Sequence, residues 1–285
     1  MMPLFPIADA HVHFWDRARL PYKWLESNAR INAPHLPADL HRAAEPFTLG
    51  SIVFVQAEVD RTHAWQEVEF AKELAAADPR IEAFVAFAPL HKGNAVRADL
   101  ERLAAEPLVK GVRQIINFEP GLEFCLQDGF LQGLRLLGEL GLAFDINITW
   151  RHLPNVIQMV DAAPRTRFVV DHIGGPDIKG GQLDPWAEGL RELAKREHVQ
   201  CKLSGVATAA DWNAWKEDEL RPCVDHVVEC FGPGRVMFGS DWPVCTLAIG
   251  HSAWAGMLAR FTAELSEDEQ GALWWGNARA FYGVE

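Results

Sequence analysis

Short apolar runs rich in β-branched and aromatic residues recur along this chain, separated by stretches in which apolar positions return every three or four residues. The first pattern is that of a buried strand and the second that of an amphipathic helix. Eight runs read as strands: Ile7 to Phe14, Ser51 to Ala57, Ile81 to Ala88, Val109 to Ile116, Leu142 to Ile148, Arg167 to His172, Val199 to Ser204 and Val236 to Ser240. Between them, Phe130 to Leu140 predicts a helix that Gly141 is placed to stop. Trp186 to Arg196 predicts another, closing on Lys195 and Arg196 where cations meet the negative end of the helix dipole. Strand and helix in alternation predict parallel βα units, and eight such units predict a closed TIM (β/α)8 barrel, α/β in class, rather than an open doubly wound sheet. Helical segments from His251 to Glu264 and from Ser266 to Phe281 follow the last strand, so the barrel is expected to carry an extra C-terminal helix. The second segment opens on Ser266-Glu267-Asp268-Glu269, a capping-box pattern.

One interval departs from the rhythm. Roughly 36 residues separate the first two strand runs, long for a connection without structure of its own. The stretch Asp16 to Pro37 holds Pro21, Tyr22, Trp24, Pro34 and Pro37 with weak periodicity, which predicts an extended loop. Barrel enzymes build their sites at the carboxyl ends of the strands, so this loop is expected to form a partial lid, with Tyr22 and Trp24 against the ligand.

Composition narrows the class. The chain is 49% hydrophobic and 23% charged, with 11 Trp and 16 Phe, which is the make-up of a packed globular protein. With no internal linker, low-complexity segment or repeat, residues 1–285 are read as one barrel domain. Lys and Arg total 27 against 39 Asp and Glu, a formal charge of −12 without a basic run to track phosphates, so nucleic acid is not an expected partner. No apolar run reaches membrane-spanning length, and the start, Met1 to Pro6, lacks the basic region of a secretory signal. The five cysteines, Cys125, Cys201, Cys223, Cys230 and Cys245, form no Cys-x-x-Cys pair, which argues against a disulfide framework or a zinc knuckle. A cytoplasmic protein, monomer or homodimer, is the expectation. Cys245, close behind Asp241, reads as a small buried hydrophobe before it reads as a reactive thiol.

Polar residues at three strand ends carry the candidate chemistry. The first strand runs through Asp9-Ala10-His11-Val12-His13, and residues two apart in a strand share a face, so both imidazoles are expected to project into the barrel mouth. Paired neutral imidazoles suit a divalent metal or a polarised carbonyl. The sixth strand stops at Asp171-His172 and turns through Gly174 and Gly175; His172 there is either a catalytic group or a strand cap. The eighth ends on Ser240-Asp241-Trp242-Pro243. A buried carboxylate without a partner costs several kcal/mol, so Asp241 is expected to meet a metal, an imidazole or a substrate water rather than only to cap a loop.

These residues are similar to the pattern of the amidohydrolase superfamily, with its His-x-His on the first strand, a His closing a later strand and an Asp closing the eighth. The phrases Asp9 to Asp16, Gly111-Val112-Arg113-Gln114, Asp171 to Pro176, Cys201-Lys202-Leu203-Ser204-Gly205 and Phe238 to Cys245 resemble its lactone-hydrolase branch, from residue 9 to about residue 282. That branch includes L-fuconolactonase, L-rhamnonolactonase, sulfomuconolactone hydrolase and pyrone dicarboxylate lactonase. The resemblance implies one divalent ion, Zn2+ foremost, held by His11, His13 and Asp241 with Glu58 and His172 as further ligands, or no metal at all. It implies no nucleotide or organic cofactor. The fifth strand, Phe144-Asp145-Ile146-Asn147-Ile148, lacks the Lys or His with which many relatives hold a second metal, so a binuclear site is not implied.

Neighbouring positions have two readings each. Glu58, just after Gln56, either completes a metal shell, accepts a sugar hydroxyl or is a solvated loop acid. Arg113 either clamps a carboxylate or lactone oxygen or makes a structural ion pair. Gln56, Asp145 and Asn147 are candidates for binding hydroxyls, while Trp15, Trp24, Trp150 and Trp242 either line a sugar ring or pack. The expected reaction is opening of a lactone: His11 and His13, directly or through the ion, polarise the carbonyl, His172 orients its oxygen, and Asp241 takes the proton of the attacking water. A decarboxylase of the same fold, a lactone isomerase and a non-catalytic small-molecule-binding barrel are the rivals. The expected partner is a small-molecule lactone, a neutral sugar lactone before a polyanionic pyrone, because Arg113, Lys202 and Arg151 are the few cations near the strand ends.

Overall fold

The alternation of strand and helix closes on itself. The computed structural model describes residues 5–284; the reading of Met1 to Leu4 as lacking a signal lies outside them. Eight strands, β1 (Ile7–Val12), β2 (Leu49–Val55), β3 (Ile81–Ala86), β4 (Val109–Val112), β5 (Ala143–Ile146), β6 (Phe168–Val170), β7 (Val199–Leu203) and β8 (Val236–Phe238), pair in parallel in sequence order. A parallel bridge between Val12 and Trp242 joins the first strand to the segment after the last. The His13 amide donates to the Trp242 carbonyl, and the Asp241 amide donates to the His11 carbonyl. The result is a TIM barrel wrapped by helices.

Period-two alternation divides the apolar residues into two layers. Ala8, Ala10, Val53, Val55, Ala83, Val85, Ala143, Val169 and Met237 form one cluster inside the barrel, where space admits small and β-branched side chains. Their larger neighbours Phe54, Phe84, Phe144, Phe168 and Phe238 belong to the cluster packed against the helices. Among those helices, α1 (Pro37–Ala44), α2 (Ala64–Ala77), α3 (Arg97–Ala104), α4 (Asp128–Leu140), α5 (Leu153–Asp161), α6 (Asp184–Leu193), α7 (Glu217–Phe231) and α8 (His251–Phe261) follow the strands in turn. Gly141 terminates α4 with a φ of 75°, a conformation that glycine adopts without strain.

The C-terminal segment closes the opposite end from the site. After α9 (Glu267–Gly271), capped by Ser266 and Glu269, the chain passes through one wide turn, Ala272–Gly276, into α10 (Asn277–Tyr282). Arg279 reaches Glu82 at the start of β3, and Arg167, just before β6, donates to the Phe281 carbonyl. Phe281 and Tyr282 thereby join the interior cluster from below.

The sequence-predicted strands run one to four residues past the hydrogen-bonded ladder at their carboxyl ends. His13, Arg113, Asn147, Asp171, His172, Ser204 and Ser240 all lie in this margin. There the chain has left the sheet and its side chains are free to converge. No described helix is long and apolar enough to cross a membrane.

Candidate active site

Backbone geometry marks the site before any side chain is considered. Among the described residues, the non-glycine positions with positive φ are Glu58 (55°), His172 (52°), Ile173 (50°) and Asp241 (61°). Three of the four, Glu58, His172 and Asp241, line a single cavity of about 290 Å³ at the carboxyl ends of the strands. Left-handed backbone in residues with a Cβ costs of order 1 kcal/mol or more and concentrates where function demands a set orientation.

His13, Arg113 and Asn147 complete the polar wall of this cavity, and Trp24, Ala57, Ile115, Phe118, Thr208 and Val244 supply the rest. His11 lies beneath the floor, fully buried. Its Nε2 is 3.2 Å from His13 Nε2 and 3.7 Å from Asp241 Oδ1, while His13 Nε2 is 3.3 Å and His172 Nε2 3.9 Å from the same oxygen. Strands β1, β6 and β8 thus bring three imidazoles and one carboxylate to one point, as their positions at strand ends predict.

Each group is held from behind. The His13 Nδ1–H donates to the Val55 carbonyl at 2.7 Å. His172 Nδ1 is 2.9 Å from Ser204 Oγ, and the ring packs on Gly205, where a Cβ would stand 2.7 Å from it; a φ of +62° independently requires glycine there. Arg113 donates through Nη2 to the Gln56 carbonyl at 2.6 Å and through Nη1 to Asp171 Oδ2 at 3.3 Å. Asp9 accepts from the Ser240 amide and meets His251 of α8 at 3.0 Å, fixing β1 against the turn that carries Asp241.

Burial sets the protonation states. It lowers His13 to a pKa of about 3, helped by the nearby Arg113 guanidinium, and holds His11 well below the ordinary imidazole range against the pull of Asp171. It also lowers His172. The same burial raises Asp241 to about 6, with His172 and Arg113 opposing the rise. Near neutral pH the site therefore presents neutral imidazoles and a carboxylate poised to take a proton.

The donor set also fits a single metal ion. Four ligands around a tetrahedral zinc lie roughly 3.4 Å apart, and the spacings of 3.2, 3.3 and 3.7 Å among His11, His13 and Asp241 bracket that value. His11, His172 and Asp241 form one metal-capable group among the described residues, and His11, Asp145 and Asp171 form another; Glu58 belongs to neither, and His13 meets the first only through the spacings given above. The second group already surrounds a cation: Lys202 Nζ stands 2.6 Å from Asp145, 3.0 Å from Asp171 and 3.1 Å from His11 Nδ1.

The remaining sequence-predicted positions divide between the cavity and its support. Glu58, Arg113, Asn147 and Trp24 line it, and the indole of Trp24 is fixed by donating to the Ala57 carbonyl. Gln56 is fully buried and braces Glu58 through its amide at 2.7 Å. Asp145 faces the interior below the site, bound to Lys202 and Tyr282, so it offers nothing to a hydroxyl in the cavity. Trp15 and Trp242 pack: the Trp15 indole donates to the Ile31 and Ala33 carbonyls, and Trp242 lies edge-on to Phe14 and His35. Trp150 lines a neighbouring cleft with Arg151. Tyr22 turns into the core, 1% exposed, instead of toward the ligand. Phe118, Thr208 and Val244 escaped sequence reading, because they sit in connections where no period marks a facing side, while Ile115 falls inside the fourth predicted strand, which leaves the sheet at Val112.

Fold and site together define a (β/α)8 barrel enzyme whose strand ends gather a His/Asp centre able to hold one divalent ion. The chain belongs to the amidohydrolase family, which it matches over residues 8–284. It is 33% identical to an L-fucono-1,5-lactonase of Burkholderia multivorans, covering 97% of this chain and 95% of that protein. An L-fucono-1,5-lactonase of Burkholderia ambifaria is 31% identical over 97% and 95%. In structure it is similar to an amidohydrolase from Burkholderia multivorans crystallised with bound zinc, with a TM-score of 0.88 at 32% identity over 99% of this chain and 100% of that one.

Proposed function

We propose that this protein hydrolyses the lactone ring of a neutral sugar acid, an aldonolactone of the L-fuconolactone or L-rhamnonolactone kind. The observation that carries the reading is Asp241. A carboxylate with a pKa of about 6, on left-handed backbone, faces the neutral imidazoles of His13 and His172 across one cavity, with His11 beneath them. A general base is most effective when its pKa lies near the working pH.

The reaction follows from the groups present. Asp241 accepts a proton from a water as that water attacks the lactone carbonyl, and His172 and the Arg113 guanidinium face the oxygen that gathers negative charge, while His13 presents a lone pair at Nε2. His11 supports them from below. Protonated Asp241 then returns its proton to the ring oxygen as the carbon–oxygen bond breaks, giving the open hydroxy acid. A divalent ion held by His11, His13 and Asp241 would add Lewis-acid polarisation of the carbonyl.

Charge in the cavity favours a neutral substrate. Arg113 is the cation among the lining residues, while Glu58 and Asp241 are acids. Lys202, an inward-pointing candidate in sequence, is fully buried and paired, and Arg151 lines the adjoining cleft. A dianionic pyrone would meet one guanidinium and two carboxylates, whereas hydroxyls find Glu58, Asn147 and Thr208, and an apolar ring face finds Trp24 and Phe118. The relatives named as L-fucono-1,5-lactonases support the same class.

The test is proton release at neutral pH on L-fucono-, L-rhamnono- and D-galactono-lactones and a pyrone dicarboxylate, with and without chelator and added zinc. The highest kcat/KM is expected for a neutral aldonolactone. A clear preference for the dianionic pyrone would sink the reading, as would CO2 release or isomerisation without ring opening.

A further inference from the structure

The fully buried Lys202 sits under the candidate site with no route to solvent, and its ammonium has three protons to place and no lone pair. Two acceptors take hydrogen bonds from it, Asp145 Oδ2 at 2.6 Å and His11 Nδ1 at 3.1 Å, and Asp171 Oδ1 lies 3.0 Å away as an ionic partner. A ring nitrogen facing an ammonium proton must present its lone pair. Neutral imidazole carries one proton, so the proton of His11 then sits on Nε2.

The far side of the ring makes the same demand independently. His13 Nδ1 lies 2.7 Å from the Val55 carbonyl, which accepts only, so that nitrogen carries the proton and His13 Nε2 is a lone pair. His11 Nε2 is 3.2 Å from it. With the proton on His11 Nε2 this contact is an N–H to N hydrogen bond; with the proton on Nδ1 it is two lone pairs face to face. Two contacts favour the opposite tautomer. Asp171 Oδ1 lies 3.2 Å from Nδ1 but outside hydrogen-bond geometry, and Arg113 Nη1 reaches Nε2 only at 3.3 Å, with its shorter bond to the Gln56 carbonyl at 2.6 Å.

We infer that Lys202 is a positioning residue that fixes His11 as the Nε2–H tautomer, so that the imidazole enters the site as a hydrogen-bond donor and not as a ready metal ligand. Binding of an ion through His11 Nε2 then requires the proton to move to Nδ1, where Asp171 receives it, with no change in the charge of the ring. Lys202 weakens metal binding at this histidine, and Asp171 makes it possible. The column beneath is braced from the other end of the barrel: the Tyr282 hydroxyl is 2.9 and 3.0 Å from the two oxygens of Asp145. The inference rests on the assignment of His11 to the site proposed above, and not on the lactone.

The tautomer is read directly by 15N–1H correlation spectroscopy of the imidazoles in metal-free, His-labelled protein. Wild type is expected to show His11 protonated at Nε2 alone and His13 at Nδ1 alone. His11 protonated at Nδ1 in the wild type overturns the inference without any variant. The double variant Lys202→Met with Asp145→Asn removes the ammonium while keeping the buried charge balanced. In it His11 is expected to switch to Nδ1–H toward Asp171, and zinc affinity, measured by competition with a chelating dye, is expected to rise about 10-fold, the scale on which partners behind a ligand act. An unchanged tautomer or an unchanged affinity in the folded variant overturns it. Absence of lactonase activity alongside the Nε2–H signature would remove the proposed function and leave this inference standing.

Discussion

Asp241 concentrates three unusual conditions in one residue: burial, a raised pKa and left-handed backbone. Asp241→Asn keeps the shape and removes the proton acceptor, so kcat is expected to fall by about 100-fold or more with the fold retained, measured by steady-state hydrolysis and circular dichroism. The pH dependence has a definite sign. As the base, Asp241 must be ionised, so kcat/KM is expected to fall as pH drops through about 6. Stability runs the other way. A carboxyl whose pKa is raised by folding stabilises the native state below its ordinary range, and that contribution is lost as pH rises through 6. The Asn variant is therefore expected to melt at least as high as wild type at pH 7, and a lower Tm there would contradict the burial argument. At this scale the sequence was legible where chemistry is concentrated: His11, His13, His172 and Asp241 end apolar runs and could be read as a set. Lys202 and Asp145 were legible only in part. Alternation predicts that both point inward, but it carries no information about depth along the barrel axis, and depth is what separates a substrate contact from a buried ion pair.

The elements that follow the strands decide access. The loop from Asp16 to Pro37 is tied down by the backbone pairing of Trp15 with His35 and by a short turn, Lys23–Ser27, that carries Trp24 to the cavity and leaves Tyr22 in the core. Trp24→Ala is expected to raise KM severalfold with a smaller change in kcat, since the indole touches the cavity wall and not the His/Asp cluster; equal losses in both constants in a folded variant would assign it a part in catalysis. After β7, the dipeptide Ser204-Gly205 supports His172. Gly205→Ala adds a methyl 2.7 Å from that ring at a φ of +62°, so activity is expected to collapse well before the barrel does. A Gly205→Ala enzyme with wild-type kcat would show that His172 does not need its present orientation. All eight strands were readable because parallel strands buried on both faces are continuous apolar runs. The lining residues Phe118, Thr208 and Val244 were not, because loop conformation depends on what the neighbouring loops do.

Across the whole molecule, the barrel is occupied from both ends: His11 and its partners enter from the carboxyl side, and Phe281 and Tyr282 of α10 enter from the amino side. Tyr282→Phe removes hydrogen bonds to a buried carboxylate and is expected to lower unfolding stability by about 2 kcal/mol, read from urea denaturation. Retention of full stability would mean that Asp145 is neutralised by Lys202 alone. The contact between Asp145 and Tyr282 spans more than a hundred residues, and the column it braces ends at a histidine close to the beginning of the chain. On the ribosome, His11 emerges long before Tyr282. The polar column cannot be completed until Tyr282 has been made, so a nascent barrel several strands long holds His11 in an unbraced state.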